Sequence, residues 1–276
     1  MPRQLTDNTW DSNFTARELT AVSAVGFEPV GQVLGTAVFN LGNTGAWDCP
    51  GAWTTVGGPS SHWTPSLAPL AKAVHAARRL ALARAVAECR ALDGDGIVGI
   101  QLTTNHFFSH TTEFTAIGTA VRAHGRIRPQ QPFTSHLGGQ DFARLLRAGW
   151  VPTGLALGVS LAIRHDDWRA SRLLRGRPFA GNEEVEGHTR LIGHVRKEAR
   201  ERLSLDARKH GGGGGDGIVV DEVSLEVRET ECPGSETARD LIAEAVFVGT
   251  STARFGRSRR PAAAGPLTIM RLEREH

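Results

Sequence analysis

The 276 residues are 40% hydrophobic and 22% charged, ordinary values for a chain that folds around a core and well away from those of disordered proteins. The 32 basic and 29 acidic residues leave a net charge of +3, and the arginine-rich runs at 169–177 and 254–260 lack interleaved aromatic residues for base stacking, so nucleic acid is not implied. Three cysteines without CxxC spacing speak against a disulfide framework, and no stretch approaches the roughly eighteen apolar residues of a membrane span or the apolar segment of a signal peptide, so the expected setting is cytoplasmic and off the membrane.

Residues 1–18 read as an N-terminal arm that ends in Thr15 and Glu18, the spacing of a capping box. Leu19 and Val22 then mark a short helix, which Gly26 stops in the left-handed conformation. An extended run follows from Val30 to Phe39, with glycines that permit a bulge or a close backbone approach. A longer helix carries the stripe Val74, Ala77, Leu80, Ala81, Ala85, Val86 and Cys89, with arginines on its other side. It reaches GDGIV at 94–98, where glycine is expected to take the positive φ of the helix stop, and two strands follow, Ile97 to Thr104 and Phe114 to Arg122.

The same order then recurs. WVPTGLALG at 150–158 matches FEPVGQVLG at 27–35, GDGIV returns at 215–219, and Gly249-Thr250 matches Gly118-Thr119. The second copy has a short helix with Phe142 and Leu145 stopped by Gly149, an extended run from Thr153 to Ile163, and a helix striped by Leu191, Val195, Ala199, Leu203 and Ala207. Strands from Ile218 to Val227 and from Ala245 to Arg254 close it. The expectation is therefore an α+β fold made of two tandem β-α-β-β units: residues 19–124 with a Trp-rich insertion at 43–69, a linker at 125–138, a second unit at 139–255 and an extension at 256–276. The spacing between matched motifs widens near Glu231-Cys232-Pro233-Gly234, which locates an insertion of about ten residues in a hairpin loop, where extra length costs little.

GDGIVG satisfies G-x-G-x-x-G, but a dinucleotide site needs a strand before the motif and a helix after it, and here the order is reversed. His106, His110 and Glu113 carry ligand atoms for zinc or copper across a hairpin tip, a set confined to the first copy because Val227 stands where His106 does. Trp47, Cys49, Trp53, His62 and Trp63 lie in a Gly/Pro-rich stretch that cannot form its own core, so they must pack on the domain, on a neighbouring subunit or around a small ligand. Cys49 and His62 also have the types of a nucleophile and its base, although nothing in the sequence fixes their separation.

The strand VGQVLGTAVF, the alanine- and arginine-rich helix, the turn DGDGIVGIQL and the strand FTAIGTAVRA resemble the YbjQ-like family, which carries the label of a heavy-metal-binding domain. The resemblance spans 19–124 and 142–255 and leaves the Trp-rich stretch outside the family pattern. It implies a dodecin-like α+β unit, assembly into rings and no established enzymatic activity. Three-stranded units expose sheet edges, which proteins remove by pairing or closure, so a homo-oligomer is expected, with contacts through the edge strands and the Trp-rich stretch. Two units per chain suit three chains in a pseudo-sixfold ring or five chains in two stacked rings. The competing expectation is an enzyme with a pocket at a subunit boundary, lined by the Trp-rich stretch and the His106/His110 hairpin.

Overall fold

A computed structural model describes residues 12–41, 67–107, 111–125, 128–165, 184–210, 216–231 and 239–254. The fold is α+β, with four helices and two sheets among these residues. Helix α1 (Ala16–Ser23) starts at the expected capping box: the Thr15 side chain accepts from the Glu18 amide, and Glu18 Oε2 accepts from the Thr15 amide at 2.9 Å. Gly26 follows at φ 84°, and strand β1 (Phe27–Asn40) leads to helix α2 (Ala68–Ala91). Strands β2 (Gly96–His106) and β3 (Thr111–Ala123) complete the first half.

The second half repeats that order. Strand β4 (Phe133–Thr134) precedes helix α3 (Gly139–Arg147), Gly149 at φ 78°, strand β5 (Trp150–His165), helix α4 (Glu186–His210) and strands β6 (Gly217–Glu231) and β7 (Arg239–Arg254). The sheets are ordered β1-β3-β2-β4 and β5-β7-β6, with every pair antiparallel except β2 with β4. Bulges fall at matched places, after Pro29 in β1 and after Pro152 in β5. No helix among the described residues is long and apolar enough to cross a membrane.

Each long helix crosses the edge strand of its own sheet where that strand has a glycine. A Cβ on Gly35 would collide with the Ala81 carbonyl of α2, and one on Gly158 with the Ala199 carbonyl of α4. The helices also dress those edges. Glu88 accepts from the Leu34 amide at 2.8 Å and Arg84 donates to the Thr36 carbonyl; in the second half Asp206 accepts from the Leu157 amide at 2.8 Å and Arg202 donates to the Val159 carbonyl at 2.6 Å. Carboxylate and guanidinium thus occupy backbone groups that a further strand would need, so β1 and β5 are poor edges for strand pairing between subunits.

Three sequence expectations change. The left-handed residue that ends α2 is Asp93 at φ 56°, not a glycine of GDGIV. The Gly94 amide bonds back to the Cys89 carbonyl at 2.8 Å and the Asp93 amide to the Arg90 carbonyl at 3.0 Å, a Schellman stop with aspartate in the strained place, held by Arg128 at 2.8 Å. Gly94 and Gly96 are small because Cys89 and the Phe133 ring lie against them. Their shared aspartate has a separate use: Asp95 accepts from the Ala123 amide at 2.8 Å and Asp216 from the Arg254 amide at 3.2 Å, which fastens the last strand of each half. Second, the expected linker contains β4, which pairs in parallel with Gly96 and Ile97. Third, α2 is covered on two sides. Leu80 is exposed, whereas Leu70, Ala71, Arg78 and Leu82, outside the expected stripe, are buried.

Candidate functional site

The second covered side of α2 lies against the other half of the chain. Leu155, Leu157, Val159 and Leu161 of β5 and Val246 and Val248 of β7 join the buried cluster around α2, on the face of that sheet opposite α4. Alternation along a strand makes this possible: Ala156, Ala162, Ala243, Ala245 and Phe247 point to α4, and their neighbours point to α2. At one end the contact opens into a cleft of about 220 Å³ lined by Arg78, Leu102, Thr104, His106, Ser224, Glu226 and Glu244, among others.

Arg78 forms its floor. The guanidinium lies 5.2 Å from the centre of the Phe114 ring, and one nitrogen reaches Glu244 at 3.2 Å and Thr104 at 3.3 Å. Only 7% of Arg78 is exposed, so the pair is largely desolvated and either charge alone would be costly. Hydroxyls of Thr104 and Ser224, the Glu226 carboxylate and the His106 ring complete a wall able to hold a small polar molecule.

A second polar cluster joins the halves where α2 meets α4. Asp206 is paired with Arg79, whose other nitrogen donates to the Leu155 carbonyl at 3.0 Å. Burial lowers the Arg79 pKa to about 10. His75 lies 3.9 Å from Asp206, yet its pKa is lowered to about 4, first by burial and then by Arg79 and its neighbouring cations. Asp206 is already engaged by Arg79 and the Leu157 amide, so it does little to hold a proton on the imidazole, which is neutral at pH 7.

The expected site residues are not gathered together. His106 pairs across the hairpin with Thr112, its Nδ1 3.2 Å from the Thr112 hydroxyl, on the face that lines the cleft. Glu113 is one residue further along β3 and therefore on the opposite face, where it accepts from Asn105 at 3.1 Å. His106 and Glu113 cannot share a metal ion in this arrangement, and no cluster of three or more His, Cys, Asp or Glu side chains suited to a metal occurs among the described residues. His110, Trp47, Cys49, Trp53, His62 and Trp63 lie outside those residues. Cys89 is a buried free thiol whose pKa is pushed up to about 11, chiefly by burial and then by Asp95, the state of a packing residue rather than a nucleophile.

Residues missed from sequence are Arg78, Glu244 and the paired braces. The braces did leave a signal, since Arg84 and Glu88 in α2 have the spacing of Arg202 and Asp206 in α4.

The family match bears on the first half. Residues 52–124 match the model of a family described as "Putative heavy-metal-binding", named YbjQ. This stretch, about a quarter of the chain, is thus similar to the YbjQ-like family. The match takes in residues 52–69, which the sequence reading set outside the family pattern. The chain is also 33% identical over 159 residues to the "Encapsulin nanocompartment protein Rv1762c" of Mycobacterium tuberculosis, a match covering 55% of this chain and 56% of that protein. The matched stretch is thus little more than half of that relative's length. The heavy-metal label of the YbjQ-like family finds no fitting ligand set in the described residues, because the sheet turns His106 and Glu113 apart.

Proposed function

We propose that the protein is a non-enzymatic, self-assembling scaffold built from two tandem YbjQ-like units, whose chains join head to tail as its own halves do. The observation that carries this reading is an asymmetry of cover. Leu155, Leu157, Val159 and Leu161 are each at most 1% exposed beneath α2, whereas the matched positions of β1 include Leu34 at 45% and Val38 at 56% exposure. A surface that one half buries is open on the other, and we infer that the outer side of α4, where Arg196, Lys197 and Arg200 are exposed, covers it in a second copy.

Such a contact is heterologous, so it closes into a ring or continues as a filament. The halves of one chain meet helix on sheet face, side by side, which favours a single ring with an even number of units, such as three chains in a pseudo-sixfold arrangement, over two stacked five-membered rings. The relative named for a nanocompartment supports association rather than catalysis. The cleft above Arg78 is a secondary place for a small polar ligand.

Light scattering across a range of concentrations tests the proposal. The expected mass is a fixed multiple of the 29.7 kDa chain. A single-chain mass at every concentration would refute it.

A further inference from the structure

The joint between the halves involves more than a helix on a sheet. Residues 135–137, just ahead of α3, run along the edge of β2: the Ser135 amide donates to the Ile97 carbonyl at 2.9 Å, the Ile100 amide to Ser135 at 3.0 Å and the Gly99 amide to Leu137 at 2.9 Å. This short segment belongs to the second half and pairs with a strand of the first. The His136 amide meanwhile bonds its own half, reaching the Thr250 hydroxyl at 3.2 Å.

Both partners of that arrangement recur, in Ser12–Phe14 and in the outer edge of strand β6, with no strand paired to either among the described residues. Ser12-Asn13-Phe14 precedes α1 as Ser135-His136-Leu137 precedes α3, and the Asn13 amide bonds the Thr119 hydroxyl at 3.2 Å, matching His136 on Thr250. Strand β6 takes the place of β2, and its outer edge has no strand beside it among the described residues. The side chains tell the same story. Val98, Val22 and Phe142 are wholly buried where the halves meet. Their counterparts are Val219, 37% exposed on β6, Leu145, half-buried on α3, and Leu19, half-buried on α1.

Charge follows the pattern too. Within the chain, α2 offers Arg78 to Glu244 and Arg79 to Asp206. The corresponding positions are Arg196 and Lys197, both exposed on α4, and Glu113 and Glu88 in the first half. Each pair keeps its sign.

From this we infer that the β6 edge of one chain takes Ser12–Phe14 of a second copy as an added strand, with Arg196 and Lys197 of the first chain facing Glu113 and Glu88 of the second. The inference rests on the self-assembly proposed above and names its joint. Strand addition supplies backbone hydrogen bonds, and the two charge pairs set register and direction.

A charge exchange tests it on the full chain. Arg196→Glu and Glu113→Arg each bring like charges together and lower the light-scattering mass to one chain, and the double variant R196E/E113R regains the wild-type mass. In the wild type the Val220 amide, at the place of Gly99, exchanges with deuterium at least tenfold more slowly than in Arg196→Glu. Single variants that keep the wild-type mass, a double variant that stays a single chain, or a Val220 amide that exchanges equally fast in both overturn the joint while leaving self-assembly standing. A wild-type protein that is a single chain at every concentration overturns both.

Discussion

The outer faces of the two sheets occupy the same place in the same order of elements, yet one is finished and the other is not. Leu155, Leu157, Val159 and Leu161 are sealed beneath α2, while Gln32, Leu34, Thr36 and Val38 face outward. The replacement of two aliphatic residues by Gln32 and Thr36 is informative. A contact made once, during folding, tolerates an entirely apolar face, whereas one that must stay soluble before a partner arrives carries polar groups and relies more on charge. The proposed assembly therefore predicts an internal joint that is the tighter of the two and an external one more sensitive to salt.

The largest effect should come from breaking the internal joint. Arg78→Met removes the guanidinium from Glu244 and leaves a carboxylate in a mostly dry place, an expected loss of about 3 kcal/mol in chemical unfolding. Next come the helix crossings. Gly35→Ala and Gly158→Ala each force a methyl group against a helix carbonyl, and both should cost about 2 kcal/mol, because the crossing is the same in both halves.

The edge braces sharpen the comparison further. Asp206→Asn should cost about 2 kcal/mol, because Asp206 is buried and holds Arg79 as well as the Leu157 amide. Glu88→Gln, on an exposed side chain that binds only the Leu34 amide among its described partners, should cost under about 0.5 kcal/mol in the isolated chain.

A separate effect is one of pH. His75 is harder to protonate folded than unfolded, so the unfolded chain binds the extra proton as pH falls below 6.5, and stability declines from there to about pH 4. Above pH 6.5 this contribution is fully present. Because about a third of the side chain is exposed, the decline should be on the order of 1 kcal/mol, and His75→Gln should flatten that part of the unfolding profile.

What could be read from sequence was local. The Thr15/Glu18 capping box, the stops at Gly26 and Gly149, and the stripe of α4 each depend on neighbours a few residues away, and each forms as expected. The second buried side of α2 could not be read that way. Arg78 looks like a surface residue of an amphipathic helix until Glu244, 166 residues later, is placed against it. The stop at Asp93 escaped for a related reason: its strained backbone is held by Arg122 and Arg128, which approach from β3 and the segment beyond it. Of the metal set, only His106 and Glu113 are described, and strand parity, which spacing alone does not reveal, puts them on opposite faces.

The most direct measurement is the sedimentation mass of the full chain beside that of Val38→Glu, which sets a charge in the middle of the open face. Head-to-tail assembly predicts a multiple of 29.7 kDa for the wild type and a single folded chain for the variant. Equal masses for the two, whether one chain or several, would contradict it.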